Sequence, residues 1–173
     1  MLKAFLFALT LPLSTEQSPE RHVRTTEPEI QALIDKATER SATFRSLIAA
    51  LNDSDVIVYV ETSVTRAARL RGYIVHRIVA QGNHRYVRLR VNPNGAEEQR
   101  IGVIAHELHH ALEIARAPNV GRSETVEELF AAIGFTFGTR CADCYETTEA
   151  MNVERTVREE LRANRSTLGQ NQP

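Results

Sequence analysis

The chain has 173 residues, 42% of them hydrophobic and 25% charged, and a formal net charge of −1 at pH 7. That is enough apolar material for one core, and a single domain is the expectation. The near-neutral balance supplies no basic field to draw in phosphate backbones or anionic lipid, which argues against nucleic acid as a partner.

Residues 1–15 begin with a lysine at position 3 followed by a mostly apolar run, the shape of a secretory leader, too short to cross a bilayer. Export to the periplasm or the medium is therefore expected. No other stretch is apolar enough for a membrane span. Residues 16–27 are polar, carry Pro19 and read as a surface segment. The domain proper is expected over 28–162, with 163–173 as a polar tail.

Ile30, Leu33, Ile34 and Ala37 recur at helical spacing, and Phe44, Leu47, Ile48 and Leu51 repeat the pattern after Ser41, so two short helices or one kinked helix are predicted. A turn cluster at Asn52 to Asp55 leads into the β-branched run Val56 to Val60, which reads as a buried strand. Ile74 to Ala80 and Arg85 to Val91 flank Gln81 to His84 and predict a hairpin with a four-residue loop. In its second arm Val87, Leu89 and Val91 form the core face, while the arginine group Arg85, Arg88 and Arg90 reads as a solvated or cleft-lining face. A helix over about 97–115 follows, then one over about 125–138 with a Thr125/Glu128 capping pattern, then a last one over about 145–162. Helices, a small sheet and further helices in that order predict an α+β fold, a small antiparallel or mixed sheet packed on helices.

The chemistry sits in the helix over 97–115. His106-Glu107-Leu108-His109-His110 matches HExxH, and two histidines four apart on a helix share one face, so both imidazoles can reach one metal ion. Glu107, next to the first ligand, can accept a proton from a water activated by the metal. Apolar Ile101, Ile104, Leu108, Ala111 and Leu112 give this helix a buried side. His109 points about 100° away from its neighbours and is not expected to share their metal.

A catalytic zinc generally takes three protein ligands and a water. No histidine follows His110, so the third ligand is expected to be a carboxylate: Glu113, Glu124, Glu127, Glu128 or Glu146. Glu113 lies on the same helix and is carried along its axis. Glu146 continues the apolar stripe of Ala150, Val153, Val157 and Leu161, and an acid on a buried face calls for a partner or a metal, so Glu146 is favoured over Glu124. Tyr145, Tyr86 and His84 are candidates to stabilise an oxyanion. Cys141 and Cys144, with two residues between them, are half of a four-cysteine zinc site and read as a local disulfide if the protein is exported, ahead of a redox-active pair.

The segments VIAHELHHALEIARAPNVGRS, RYVRLRVNP and CYETTEA resemble a family of small bacterial HExxH proteins of unassigned function, over most of residues 28–161. The resemblance places glutamine commonly at position 109 and a ligand-type glutamate at Glu146, and nothing comparable at Glu124. Glu124 and Glu128 in turn are similar in spacing to the E-x-x-x-D helix of the thermolysin group. The wider likeness to gluzincin metallopeptidases implies a zincin-like fold, Zn2+ as cofactor, and a strand edge able to hold a peptide or protein substrate. The function expected from residues and resemblance together is hydrolysis of peptide or amide bonds, with His106, His110 and Glu146 on zinc and Glu107 as base. The competing expectation is a zinc-stabilised binding or structural domain that retains the helix without catalysis.

Overall fold

The computed structural model describes residues 20–64, 71–136 and 145–169. The leader and the Cys141/Cys144 pair lie outside these residues. In chain order the elements are β1 (Val23–Arg24), α1 (Pro28–Arg40), α2 (Ala42–Asn52), β2 (Val56–Thr62), β3 (Gly72–Gln81), β4 (His84–Val91), α3 (Glu97–Arg116), α4 (Val126–Ile133), β5 (Phe135–Thr136), β6 (Tyr145–Glu146) and α5 (Thr148–Gly169). The fold is α+β, with five helices, a four-stranded mixed sheet and a two-stranded one among the described residues.

The larger sheet has the order β1-β2-β4-β3. β2 runs parallel to both β1 and β4, with Val58 opposite Val23 and Val87, and β3 returns antiparallel to β4. β1 revises part of the reading of residues 16–27 as surface: residues 16–19 lie outside the described residues, while Val23 is buried and its pairing with the apolar β2 gives it a place in the core. The hairpin turns through Gly82 and Asn83 alone, so β3 and β4 each extend further toward the turn than the alternation suggested. The pairing of β3 is interrupted between Val75 and Val79.

Ser41 separates the first two helices. It ends α1 in an extended conformation, and its hydroxyl accepts the Phe44 amide to cap α2. The capping box of Thr125 and Glu128 starts α4 as predicted, but α4 stops at Ile133, where Gly134 leaves helical geometry and the chain enters β5. The final helix begins at Thr148 rather than 145 and runs to Gly169, past the predicted end at 162.

α3 is the axis of the molecule. It was expected to have one buried side, yet every residue from Ile101 to Ile114 is buried. The reason is placement: β2, β3 and β4 pack on it from one direction, and α5, α2 and α1 from others. The polar residues of this helix are therefore enclosed, and each must find partners inside the protein or bind something there.

Arg85 overturns part of the arginine-face expectation. It shares the face of Val87, Leu89 and Val91 and has no exposed surface. Its Nε and Nη2 bind Asp55 at 2.8 and 2.7 Å, and its Nη groups donate to the carbonyls of Ile114, Ala115, Ala117 and Val120. A buried guanidinium thus closes the C-terminal end of α3, where unpaired carbonyls concentrate negative charge.

Candidate metal centre

His106 and His110 present their Nε2 atoms on one face of α3, 3.2 Å apart, with the rings edge to face and their centroids 4.8 Å apart. Glu146 Oε1 reaches into the same space, 2.9 Å from His106 Nε2 and 3.2 Å from His110 Nε2. Both histidines are buried and Glu146 is half-buried. Among the described residues, these three form the one group of three or more His, Cys, Asp or Glu whose ligand atoms converge closely enough to hold a metal ion.

Glu146 arrives by a route the sequence reading did not foresee. It lies on β6, before α5, and not on the helical stripe that singled it out. β6 pairs with β5, with Phe135 opposite Glu146. The approach needs Gly134: a Cβ there would stand 2.7 Å from the Glu146 carbonyl oxygen and 2.8 Å from that of Phe130. Phe130 in turn packs its ring edge to face on His110, with centroids 5.0 Å apart. The end of α4 thus supports one ligand by its side chain and the next by its backbone.

Each histidine has an acid behind it. His110 Nδ1 donates to Glu113 Oε2 at 2.7 Å, and Thr147 Oγ1 donates to Glu113 Oε1, also at 2.7 Å. His106 Nδ1 lies 3.4 Å from Glu154 Oε2, whose other oxygen pairs with Arg71 and Arg158. Glu113 is therefore a hydrogen-bonded glutamate outside the ligand group, as its place along the helix axis suggested, and Glu154 is a residue the sequence reading missed. Its signal was available only as an acid at i+8 from Glu146, which means nothing until α5 is laid against α3. His109 is buried behind the pair, with Nε2 3.6 Å from Glu113 Oε1, and stays outside the ligand group.

The electrostatics follow from enclosure. Burial alone would strip charge from both histidines, but Glu146 and Glu154 outweigh it and push His106 up to about 10, while Glu113 and Glu146 push His110 up to about 9. Burial would raise Glu146, and the two histidines instead bring it down to about 2. Burial pushes the Glu107 carboxyl up to about 7 against the pull of the same histidines. Two imidazoles and a carboxylate thus hold one another only when positive charge sits among them. Protons can supply it, and so can a cation.

The triangle also fits a small cation in size. Tetrahedral zinc with bonds near 2.0 to 2.1 Å requires ligand atoms about 3.3 Å apart; the three edges here are 2.9, 3.2 and 3.2 Å. Two imidazoles with one carboxylate suit zinc and its transition-metal neighbours better than calcium or magnesium, which prefer all-oxygen shells.

Of the other candidates, Glu107 adjoins the pair and the rest sit elsewhere. Glu107 is buried beside the pair, against the first residue of β3: a Cβ on Gly72 would come within 2.9 Å of its Oε1. Glu124 is exposed, Glu127 pairs with His76 at 2.6 Å, and Glu128 is spent on the cap. Tyr86 and His84 pack together on the sheet face opposite Arg85 and Val87, away from α3, and Tyr145 is half-buried against the core.

Comparison with protein-family models, with curated proteins and with solved structures finds no match to this chain. The likeness to small HExxH proteins rests on the motifs alone. No helix among the described residues is long and apolar enough to cross a membrane.

Proposed function

We propose that this chain is a zinc-dependent hydrolase of peptide or amide bonds, zincin-like in the way its HExxH helix backs onto a small sheet. His106, His110 and Glu146 would hold the metal, and Glu107 would serve as the general base. The observation that carries this reading is the convergence of three ligand atoms at 2.9 to 3.2 Å, two of them from a helix whose next residue after the first ligand is a buried glutamate. Bound there, zinc supplies Lewis acidity to polarise a carbonyl and makes water nucleophilic near neutrality. Glu107 is the proton acceptor on the same helix face and the proton donor to a departing amine. β3 begins against Glu107 and is an edge strand of the sheet among the described residues, the position from which a strand can align an extended peptide or protein substrate.

A second reading draws on the enclosure of the site. His106, Glu107 and His110 are each less than a tenth exposed, which suits a metal that stabilises a non-catalytic binding domain. Glu107→Gln separates the two. About one zinc per chain is expected in the wild type by elemental analysis, lost in His106→Ala and in Glu146→Ala and kept in Glu107→Gln. In the enzyme Glu107→Gln lowers peptide hydrolysis by about 10²–10⁴-fold with zinc content and melting temperature unchanged. Zinc-loaded wild type with no hydrolysis across peptide libraries supports the structural domain instead, and absence of zinc even after its addition overturns both.

A further inference from the structure

We propose that Glu113 is the positioning residue that assembles the metal centre, because its single carboxylate holds ligands delivered by two separate elements. This rests on the metal-site reading above. One oxygen, Oε2, accepts from His110 Nδ1 at 2.7 Å, and the other, Oε1, accepts from Thr147 Oγ1 at 2.7 Å. Thr147 is the residue after Glu146 and is almost wholly buried. The hydrogen bond from Thr147 therefore fixes the chain that presents Glu146, while the one from His110 fixes the ring that presents Nε2.

The consequence for His110 is a tautomer. A neutral imidazole carries one N–H, and an acceptor at Nδ1 keeps it there, leaving the Nε2 lone pair directed at the metal. The consequence for Glu146 is register. β6 is two residues long and Glu146 is its last, so the backbone ladder alone has little hold on the side chain. Thr147 supplies that hold by linking to α3 through Glu113, while its Oγ1 also accepts the Ala150 amide and starts α5. Glu154 is not equivalent. It stands 3.4 Å from His106 Nδ1, and its charge is already shared with Arg71 and Arg158.

The test measures metal binding and geometry, not turnover. Zinc affinity is read by competition with a chromophoric chelator, and ligand geometry by the visible absorption of the Co2+-loaded protein. The proteins are the wild type, Glu113→Ala, Glu113→Gln, Thr147→Val and the double variant Glu113→Gln/Thr147→Val. Zinc affinity is expected to fall about 100-fold in Glu113→Ala and about tenfold in Glu113→Gln, which keeps shape and loses charge. The Co2+ bands should shift in both. If the Ala variant does not fold, Glu113→Gln carries the test. Because both hydrogen bonds end on one carboxylate, Thr147→Val should weaken binding in the wild type and add little in the Glu113→Gln background. Wild-type affinity and an unchanged Co2+ spectrum in folded Glu113→Gln would overturn this role and leave the metal site standing, as would strictly additive effects in the double variant. A wild type that binds neither metal would overturn the site and the role together.

Discussion

At the C-terminal end of α3 the guanidinium of Arg85 is surrounded by acceptors: both Asp55 oxygens and four backbone carbonyls at 2.7 to 3.1 Å. In the middle of the same helix, His106 Nε2, His110 Nε2 and Glu146 Oε1 converge to within 2.9 to 3.2 Å of one another. Both clusters are buried and both are charged, yet one is complete within the protein and the other is complete only with added positive charge. The difference marks out, without reference to any motif, the cluster that could hold a metal ion. A buried polar group that the fold has fully partnered contributes to stability or specificity; a buried charged cluster that balances only with protons or a cation among its members is a candidate metal site.

The contrast breaks most readily at Arg85. Arg85→Met removes the donors and leaves Asp55 and the last carbonyls of α3 facing an apolar side chain. It is expected to cost about 3–5 kcal/mol of unfolding free energy in urea titrations. His106 is set apart by its response to metal: added zinc should raise the unfolding free energy of the wild type and of Arg85→Met, and leave that of His106→Ala unchanged. A wild type that zinc does not stabilise, or a His106→Ala protein that zinc stabilises equally, would sink the distinction.

Next in size is Gly134→Ala. The added methyl would stand 2.7 Å from the Glu146 carbonyl oxygen, and backbone there cannot swing aside as a side chain would. β6 must shift, at about 1–3 kcal/mol, and Glu146 moves with it. Zinc affinity should fall about tenfold or more. Lost stability with unchanged zinc affinity would show that Glu146 is positioned by Thr147 and Glu113 and not by the β5–β6 pairing.

Local patterns carried much of this organisation. α3 and its ligand pair, the split at Ser41, the capping box of α4 and the core face of β4 follow from periodicity and spacing over a few residues. Arg85 was legible in principle, since it has the parity of Val87, Leu89 and Val91, but grouping it by charge with Arg88 and Arg90 hid that. Glu146 was reached for an incomplete reason: the apolar period of α5, run back two residues too far, happens to land on it. Strands of two residues such as β5 and β6 leave no periodic trace. Glu113 and Glu154 become partners of the histidines only when α5 and Thr147 come against α3, and no local pattern encodes that contact.

The smallest effect belongs to pH and isolates the Arg85 cluster from the metal centre. The hydrogen bonds from Arg85 hold the Asp55 carboxyl below its ordinary value, against a smaller opposing effect of burial. A carboxylate with a lower pKa folded than unfolded contributes stability that is fully present above the unfolded value, near 3.9, and is lost as pH falls through the folded one. Asp55→Asn cannot contribute this at any pH. In chelated protein, where Glu146 and the histidines titrate alike in both forms, wild type should therefore be the more stable at pH 6, and the gap in unfolding free energy should narrow steadily below about pH 4. Because Asp55 is about one-third exposed, added salt should reduce the gap as well. A gap that holds constant down to pH 2.5 would mean that Asp55 acts on Arg85 through shape alone. The four carbonyls, and not the ion pair, would then be what closes the end of α3.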